Sequence, residues 1–340
     1  MDVLLGFGTL MMRAGNTATR TREWIETMGH GAGFDAISVS LSLDSITASV
    51  RRSGERITAM REIGSPGINV WRIAELERLA KTAGSTLSEI AVRLEDIEAA
   101  KPLYSSVQIS AAVGVASGAF AFLNGAAAPE MISAAIGGRI GQMFRAWLSH
   151  RHVNQYGTAA LSAIAASGIY VLAAALAQRA GLELLHYPSG FIASVLFLIP
   201  GFPLIAALFD LLQHQTVAAV SRFAYGLMIL LAVALGLSIV IEVGNVDIAR
   251  QPPLDLAYPL TLLLRAIASF VAACAFAMVF NTPLRAVLMA GLLALVANDL
   301  RLVLNDMGMM LARPPRFLLP CSSGSSLWAW MRISTSRAWR

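Results

Sequence analysis

The 340-residue chain is 56% hydrophobic and only 14% charged, with a mean hydropathy of +0.63, which excludes an ordinary soluble globular protein. Its formal charge of +5 suggests a polyanion partner only until it is located: residues 1–105 hold 12 Lys/Arg against 13 Asp/Glu, residues 106–311 hold 9 against 8, and residues 312–340 hold 5 against none. The basic excess therefore sits in the last stretch, no basic patch marks a nucleic-acid site elsewhere, and two cysteines cannot make a disulfide framework or a metal site.

The N-terminus has an acidic second residue, a short apolar stretch and no basic lead, so it does not read as a secretory signal and residues 1–105 are expected in the cytoplasm. Residues 3–29 carry apolar positions at helical spacing (Leu4, Leu5, Leu10, Met11, Trp24, Ile25, Met28) and read as one helix stopped at "GHGAG". "FDAISVSLSL", "SITASVRR" and "ERITAMREI" alternate as strands. Two amphipathic helices follow at about 68–83 and 86–100, the second opened by Ser85 with Glu89 nearby. Residues 1–105 thus predict a cytoplasmic α+β domain with a small antiparallel sheet.

From residue 106 the apolar runs approach the ~20 residues that cross a bilayer. Spans are predicted at 106–123, 129–147, 158–177, 190–209, 217–242, 258–280 and 284–300, with an eighth beginning near 301. A first block of five occupies 106–243 and a partial second block 257–311. The loops after the second, fourth and sixth spans carry Arg145, Arg151, Arg222 and Arg285, which places them, with the N-terminus, inside. The fold class is an α-helical polytopic membrane protein with an N-terminal cytoplasmic α+β domain. Residues 312–340, basic, Ser/Gly-rich and without a span, read as a frameshifted or misjoined tail; a basic segment on anionic lipid is the alternative.

Ionisable residues in hydrocarbon are costly and mark substrate or ion paths. The candidates are Glu130, Arg139, Asp210, Glu242, Arg265 and Asp299. Glu130 follows Pro129 at a helix start, where a cap is favoured. Arg139 falls mid-span among Gly137, Gly138 and Gly141 and is expected to face the bundle interior or a wet cavity. Arg265 is close enough to its interface to snorkel, while Glu242 and Asp299 sit near span ends.

The stretch "LIPGFPLIAALFD" breaks its own helix. Pro200 withholds the N–H that would reach the Leu196 carbonyl and Pro203 the one that would reach Ile199. Broken backbone at membrane depth must be buried in protein or line a water-filled cavity, and secondary transporters use such half-helix ends to bind substrate and coupling ions. A plain proline kink is the alternative, with Asp210 a cap at the cytoplasmic end of that span. His30, His150, His152, His186 and His214 are scattered, and no zinc-protease, nucleophile-elbow or P-loop pattern occurs.

Three blocks, "LLGFGTLMMRAGNTATRTREWIETMGHGAGFDAISVS", "LIPGFPLIAALFDLLQHQTVAAVSR" and "RAIASFVAACAFAMVFNTPLRAVLMAGLLALVANDLR", together resemble the threonine/serine exporter family over about residues 3–310. The resemblance implies a cytoplasmic domain ahead of two sets of membrane helices and export driven by the proton motive force. It places Pro200, Gly201, Asp210 and Arg222 in one motif and Arg13, Gly15 and Thr17 in another. The chain departs from the family's pattern at its tail, where several spans of the second set are missing. The reading is a multi-pass inner-membrane secondary transporter, not an enzyme, that exports threonine, serine or similar small amino acids with protons. Its path residues are Pro200, Gly201, Pro203, Asp210, Arg222, Arg139 and Glu130. Neither metal nor cofactor is expected; partners are the amino acid, the proton, lipid and, as an option, a second copy in a homo-oligomer. A membrane-anchored hydrolase of small amides and a truncated remnant that does not transport are the alternatives.

Overall fold

The computed structural model describes residues 1–65, 67–81, 87–182, 187–244, 246 and 258–306. The chain opens with two helices, α1 (Asp2–Arg13) and α2 (Ala18–Gly31), where the sequence predicts one. Gly15 causes the difference: its φ of +95° cannot continue a helix, and Thr17 then caps α2 by accepting from the Arg20 N–H. Three antiparallel strands follow in the order β1-β2-β3: β1 (Ala36–Leu41), β2 (Ser45–Arg52) and β3 (Glu55–Glu62). Register pairs Val39 with Ala48, and Ala48 with Ala59.

The alternation in β1 and β2 sends Val39, Leu41, Ile46, Ala48 and Val50 into a core shared with Leu4, Phe7, Met11 and Ile25. Burying a side chain the size of Phe7 or Met11 is worth roughly 1.5–3 kcal/mol relative to leaving it in water. Strand β3 is mostly exposed and charged, which blunts it as a free edge. Helices α3 (Val70–Ala80), capped by Asn69, and α4 (Leu87–Ala99) complete this region; Ser85, expected to open α4, lies outside the described residues.

The apolar part comprises α5 (Ser106–Leu123), α6 (Ala128–His150), α7 (Gln155–Arg179), α8 (Tyr187–Val195), α9 (Gly201–Leu212), α10 (Thr216–Gly244), α11 (Tyr258–Val279) and α12 (Leu284–Asp306). Among the described residues, α5, α7, α10, α11 and α12 are long and apolar enough to cross a membrane, and α8 with α9 adds a sixth crossing if the bent pair is one span. Helix α6 was expected to be a span as well. Its 23 residues suffice in length, but Glu130, Arg139 and Arg145 leave it less apolar than those five helices. Gly137 faces the Ala166 carbonyl of α7, Gly138 faces Ser117 of α5 and Gly141 faces Ala166 and Phe197. This is the close approach that small residues permit in bilayers.

The expected eighth span near 301 does not start there: no breaker interrupts Leu284–Asp306, so one helix runs through it. The tail at 312–340 lies outside the described residues. Compact packing divides the chain at Leu295, and beyond it the described residues are the last turns of α12.

Candidate functional site

Proline at 200 and 203 sets the local backbone. Helix α8 ends in a 3₁₀ turn, Leu196–Leu198, and α9 starts at Gly201, with 61° between the two halves. Both carbonyls released by the prolines are satisfied locally: the Ile199 N–H donates to Leu196 O at 3.1 Å and the Gly201 N–H to Ile199 O at 2.9 Å. The break is therefore a built corner with its hydrogen bonds closed, as buried backbone requires. Pro200 and Pro203 both border a cavity of about 520 Å³, whereas Gly201 stands off it with nothing within 4 Å of where a Cβ would project.

The cavity's polar wall comes from residues that the sequence reading left aside. Gln142, Arg145 and Ser149 project from α6 at helical spacing, Gln155 and Thr158 come from the start of α7, and Tyr225 comes from α10. The Tyr225 hydroxyl donates to Gln155 Oε1, and Gln142 Oε1 is buried without a partner. The apolar wall includes Phe197, Leu198, Ile229 and Phe280, and the N-terminal region closes one side with Ser65, Gly67 and Ile68. Arg145, read from sequence only as a loop charge, is the single ionisable Lys, Arg, Asp, Glu or His side chain in that lining. The signal for it was present: polar residues at 142, 145 and 149 recur at helical spacing along one face of α6.

Asp210 and Arg222 do not line the cavity. They form a buried ion pair, Arg222 Nε to Asp210 Oδ2 at 3.4 Å, with both side chains almost wholly out of solvent. Asp210 does act as a helix cap, but of α2 in the N-terminal region: the Ala18 N–H donates to its Oδ1 at 2.8 Å. Arg222 donates to the Asn16 carbonyl, and Arg22 Nη2 donates to Gln215 Oε1 at 2.9 Å. The two sequence motifs thus meet. Gly15 lies where any side chain would strike the Gly67 carbonyl at 2.9 Å; Thr17 is the α2 cap; Arg13 holds Gly67 through its own carbonyl and pairs with Glu98 at 3.2 Å on the surface.

A second seam joins the N-terminal region to the α11–α12 corner. The Val70 N–H donates to Phe280 O, Asn281 Nδ2 to Asn69 Oδ1 at 2.9 Å, and the Leu103 N–H to Asn281 Oδ1 at 2.7 Å. The ends of α6, α9 and α11 therefore share one side with the N-terminal region.

Two other expected path residues lie elsewhere. Glu130 is fully buried and accepts from the Ala127 N–H at the start of α6. Arg139 is exposed, its Cβ at the edge of the contact with Gly114 of α5, and does not point into the bundle interior. The glycine seam explains this: positions 137, 138 and 141 take the inner face, and residue 139 is turned away from them by helical geometry.

Residues 2–244 match the family described as "ThrE: Putative threonine/serine exporter". The chain belongs to the threonine/serine exporter family. A protein named "Probable succinate transporter subunit YjjP" from Escherichia coli (strain K12) is 24% identical over 230 residues, 67% of this chain and 88% of that protein. Its namesake from Klebsiella aerogenes is 23% identical over 230 residues, 66% of this chain and 86% of its own length. No solved structure matches. Family membership and several apolar helices make this a multi-pass membrane protein of a transporter family.

Proposed function

We propose that the chain is a secondary transporter that exports small carboxylate-bearing metabolites, of the size of threonine and serine, across the inner membrane with protons as the coupling ion. The observation that carries this reading is the cavity of about 520 Å³ at the Pro200–Pro203 corner, within the range of small-molecule sites and built where a discontinuous helix puts backbone dipoles against a solute. The N-terminal region faces the cytoplasm in this reading, because Arg151 and Arg285 lie on its side of the bundle. Ser65, Gly67 and Ile68 then close the cavity on that side, and the Asp210–Arg222 pair holds the N-terminal region against the broken helix. Residues placed to meet the solute are Pro200, Pro203, Arg145 and Tyr225; Glu130 holds the start of α6.

Succinate is a second substrate, suggested by the names of the two relatives and favoured by a lining whose one formal charge is positive. The test is efflux from proteoliposomes of the purified full chain under an imposed pH gradient, loaded with labelled threonine, serine or succinate. Gradient-dependent movement of one of them above protein-free vesicles is expected. No movement of any would leave a chain that does not transport these solutes.

A further inference from the structure

The cavity wall at α6 carries one cationic side chain, Arg145. No described carboxylate forms an ion pair with Arg145, and none lines the cavity. A guanidinium kept among apolar helices without a counter-ion is expensive, so an arginine there needs a charge that comes and goes with a ligand. Two neutral groups flank it: the Gln142 amide, whose oxygen is buried and unpartnered, and the Tyr225 phenol, which stands close to the guanidinium and is oriented by its bond to Gln155. An unpartnered amide offers either an N–H or an oxygen to whatever enters.

We propose that Arg145, with the Gln142 amide beside it, forms a carboxylate-binding subsite, and that the cavity prefers solutes of net negative charge, small dicarboxylates first, over zwitterionic amino acids. The inference rests on the transport reading of the same cavity. The charge balance decides the ranking. At the corner, the end of the α8 turn and the start of α9 contribute partial charges of opposite sign, roughly half a unit each, which largely offset one another. Arg145 contributes a full unit, and no lining carboxylate waits for an ammonium group. Arginine can hold a carboxylate through two parallel N–H donors, which a single positive point charge cannot do.

The test is equilibrium binding of labelled succinate and labelled serine to the full chain in lipid nanodiscs, with Arg145→Gln and Arg145→Lys beside the natural protein. Succinate is expected to bind more tightly than serine, and its affinity to fall about 10- to 100-fold in Arg145→Gln, the loss of a charged hydrogen bond. Arg145→Lys keeps the charge without the fork and should fall less. Unfolding temperatures separate misfolding from lost binding, and Arg145→Lys serves as the folded comparator if Arg145→Gln fails to fold. Succinate binding as tight in Arg145→Gln as in the natural protein overturns the subsite while leaving transport standing, as does serine binding better than succinate. A natural protein that binds neither solute overturns the inference and the transport reading together.

Discussion

Asp210, in the second half of the broken helix, accepts a hydrogen bond from the backbone N–H of Ala18, 192 residues earlier in the chain. That bond, with the Arg222 pair behind it, fastens the first turn of α2 to the helix that forms the cavity's corner. One turn beyond Arg222 on the same helix, Tyr225 borders the cavity. The start of α10 thus carries both the residue paired with Asp210 and one that borders the cavity.

Removing one member of this pair leaves the other as an uncompensated buried charge, which typically costs about 3–5 kcal/mol. Asp210→Ala should thus destabilise strongly, and Arg222→Met similarly. The double variant, which leaves no orphan charge, should cost less than the sum of the two by at least about 1 kcal/mol. Thermal unfolding of the full chain in detergent measures all three, and additive losses would mean that the pair is not coupled.

Pro200→Ala together with Pro203→Ala restores two N–H donors and allows α8 to continue into α9. The expected result is a straightened helix, insertion at normal levels and loss of efflux. Gly201→Ala is a contrasting change: its Cβ would meet nothing within 4 Å, and alanine is favoured over glycine in a helix by up to roughly 1 kcal/mol. Unfolding temperature should stay level or rise. A fall would show that the glycine is sterically required.

Gly137 and Gly168 separate packing from mere helix propensity. A Cβ at Gly137 would lie 2.6 Å from the Ala166 carbonyl oxygen, a backbone atom that cannot step aside, whereas one at Gly168 meets nothing within 4 Å. Gly137→Ala should lower the unfolding temperature or the folded yield, and Gly168→Ala should not. Equal effects would contradict α6–α7 packing through Gly137.

In the β1–β2 turn, the Ser42 hydroxyl donates to the Asp44 carboxylate at 2.5 Å, and this bond, ahead of the Asp44 backbone bond, holds its pKa below the ordinary carboxylate value. The charged form is thus favoured by folding. Its contribution is present above the unfolded-state pKa and is lost as pH falls through the lower, folded value. Because Asp44 is open to water, the effect is small. Asp44→Asn should lower stability slightly at neutral pH and not at all at strongly acidic pH, measured by thermal unfolding at both.

The elements governed by local pattern were legible in the sequence. Alternation gave β1 to β3 within a residue or two, apolar length gave α5, α7, α10 and α11, and the prolines gave the break at Pro200. Properties set by distant partners were not legible. Asp210 reads as a cap in sequence, but the helix it caps begins at Ala18, which only the fold brings near. Arg139 looked inward because glycines surround it, yet those glycines claim the inner face and turn it out. Arg145 stood near the end of a span and was counted with the loop charges; the stripe it makes with Gln142 and Ser149 has meaning only once α7 and α10 close the cavity around it. The two-helix start was missed because the apolar positions before and after Gly15 each keep helical spacing, while the break falls in the polar run between Met12 and Trp24.

The central claim, that solute occupies the cavity at the Pro200–Pro203 corner, is tested most directly by protection of a thiol placed there. Ile199 borders the cavity, so Ile199→Cys in a background with Cys274→Ser and Cys321→Ser gives one reactive position. Succinate or serine at saturating concentration should slow labelling by a small thiol reagent several-fold. A labelling rate unchanged by a solute that the same preparation transports would place the translocation site elsewhere.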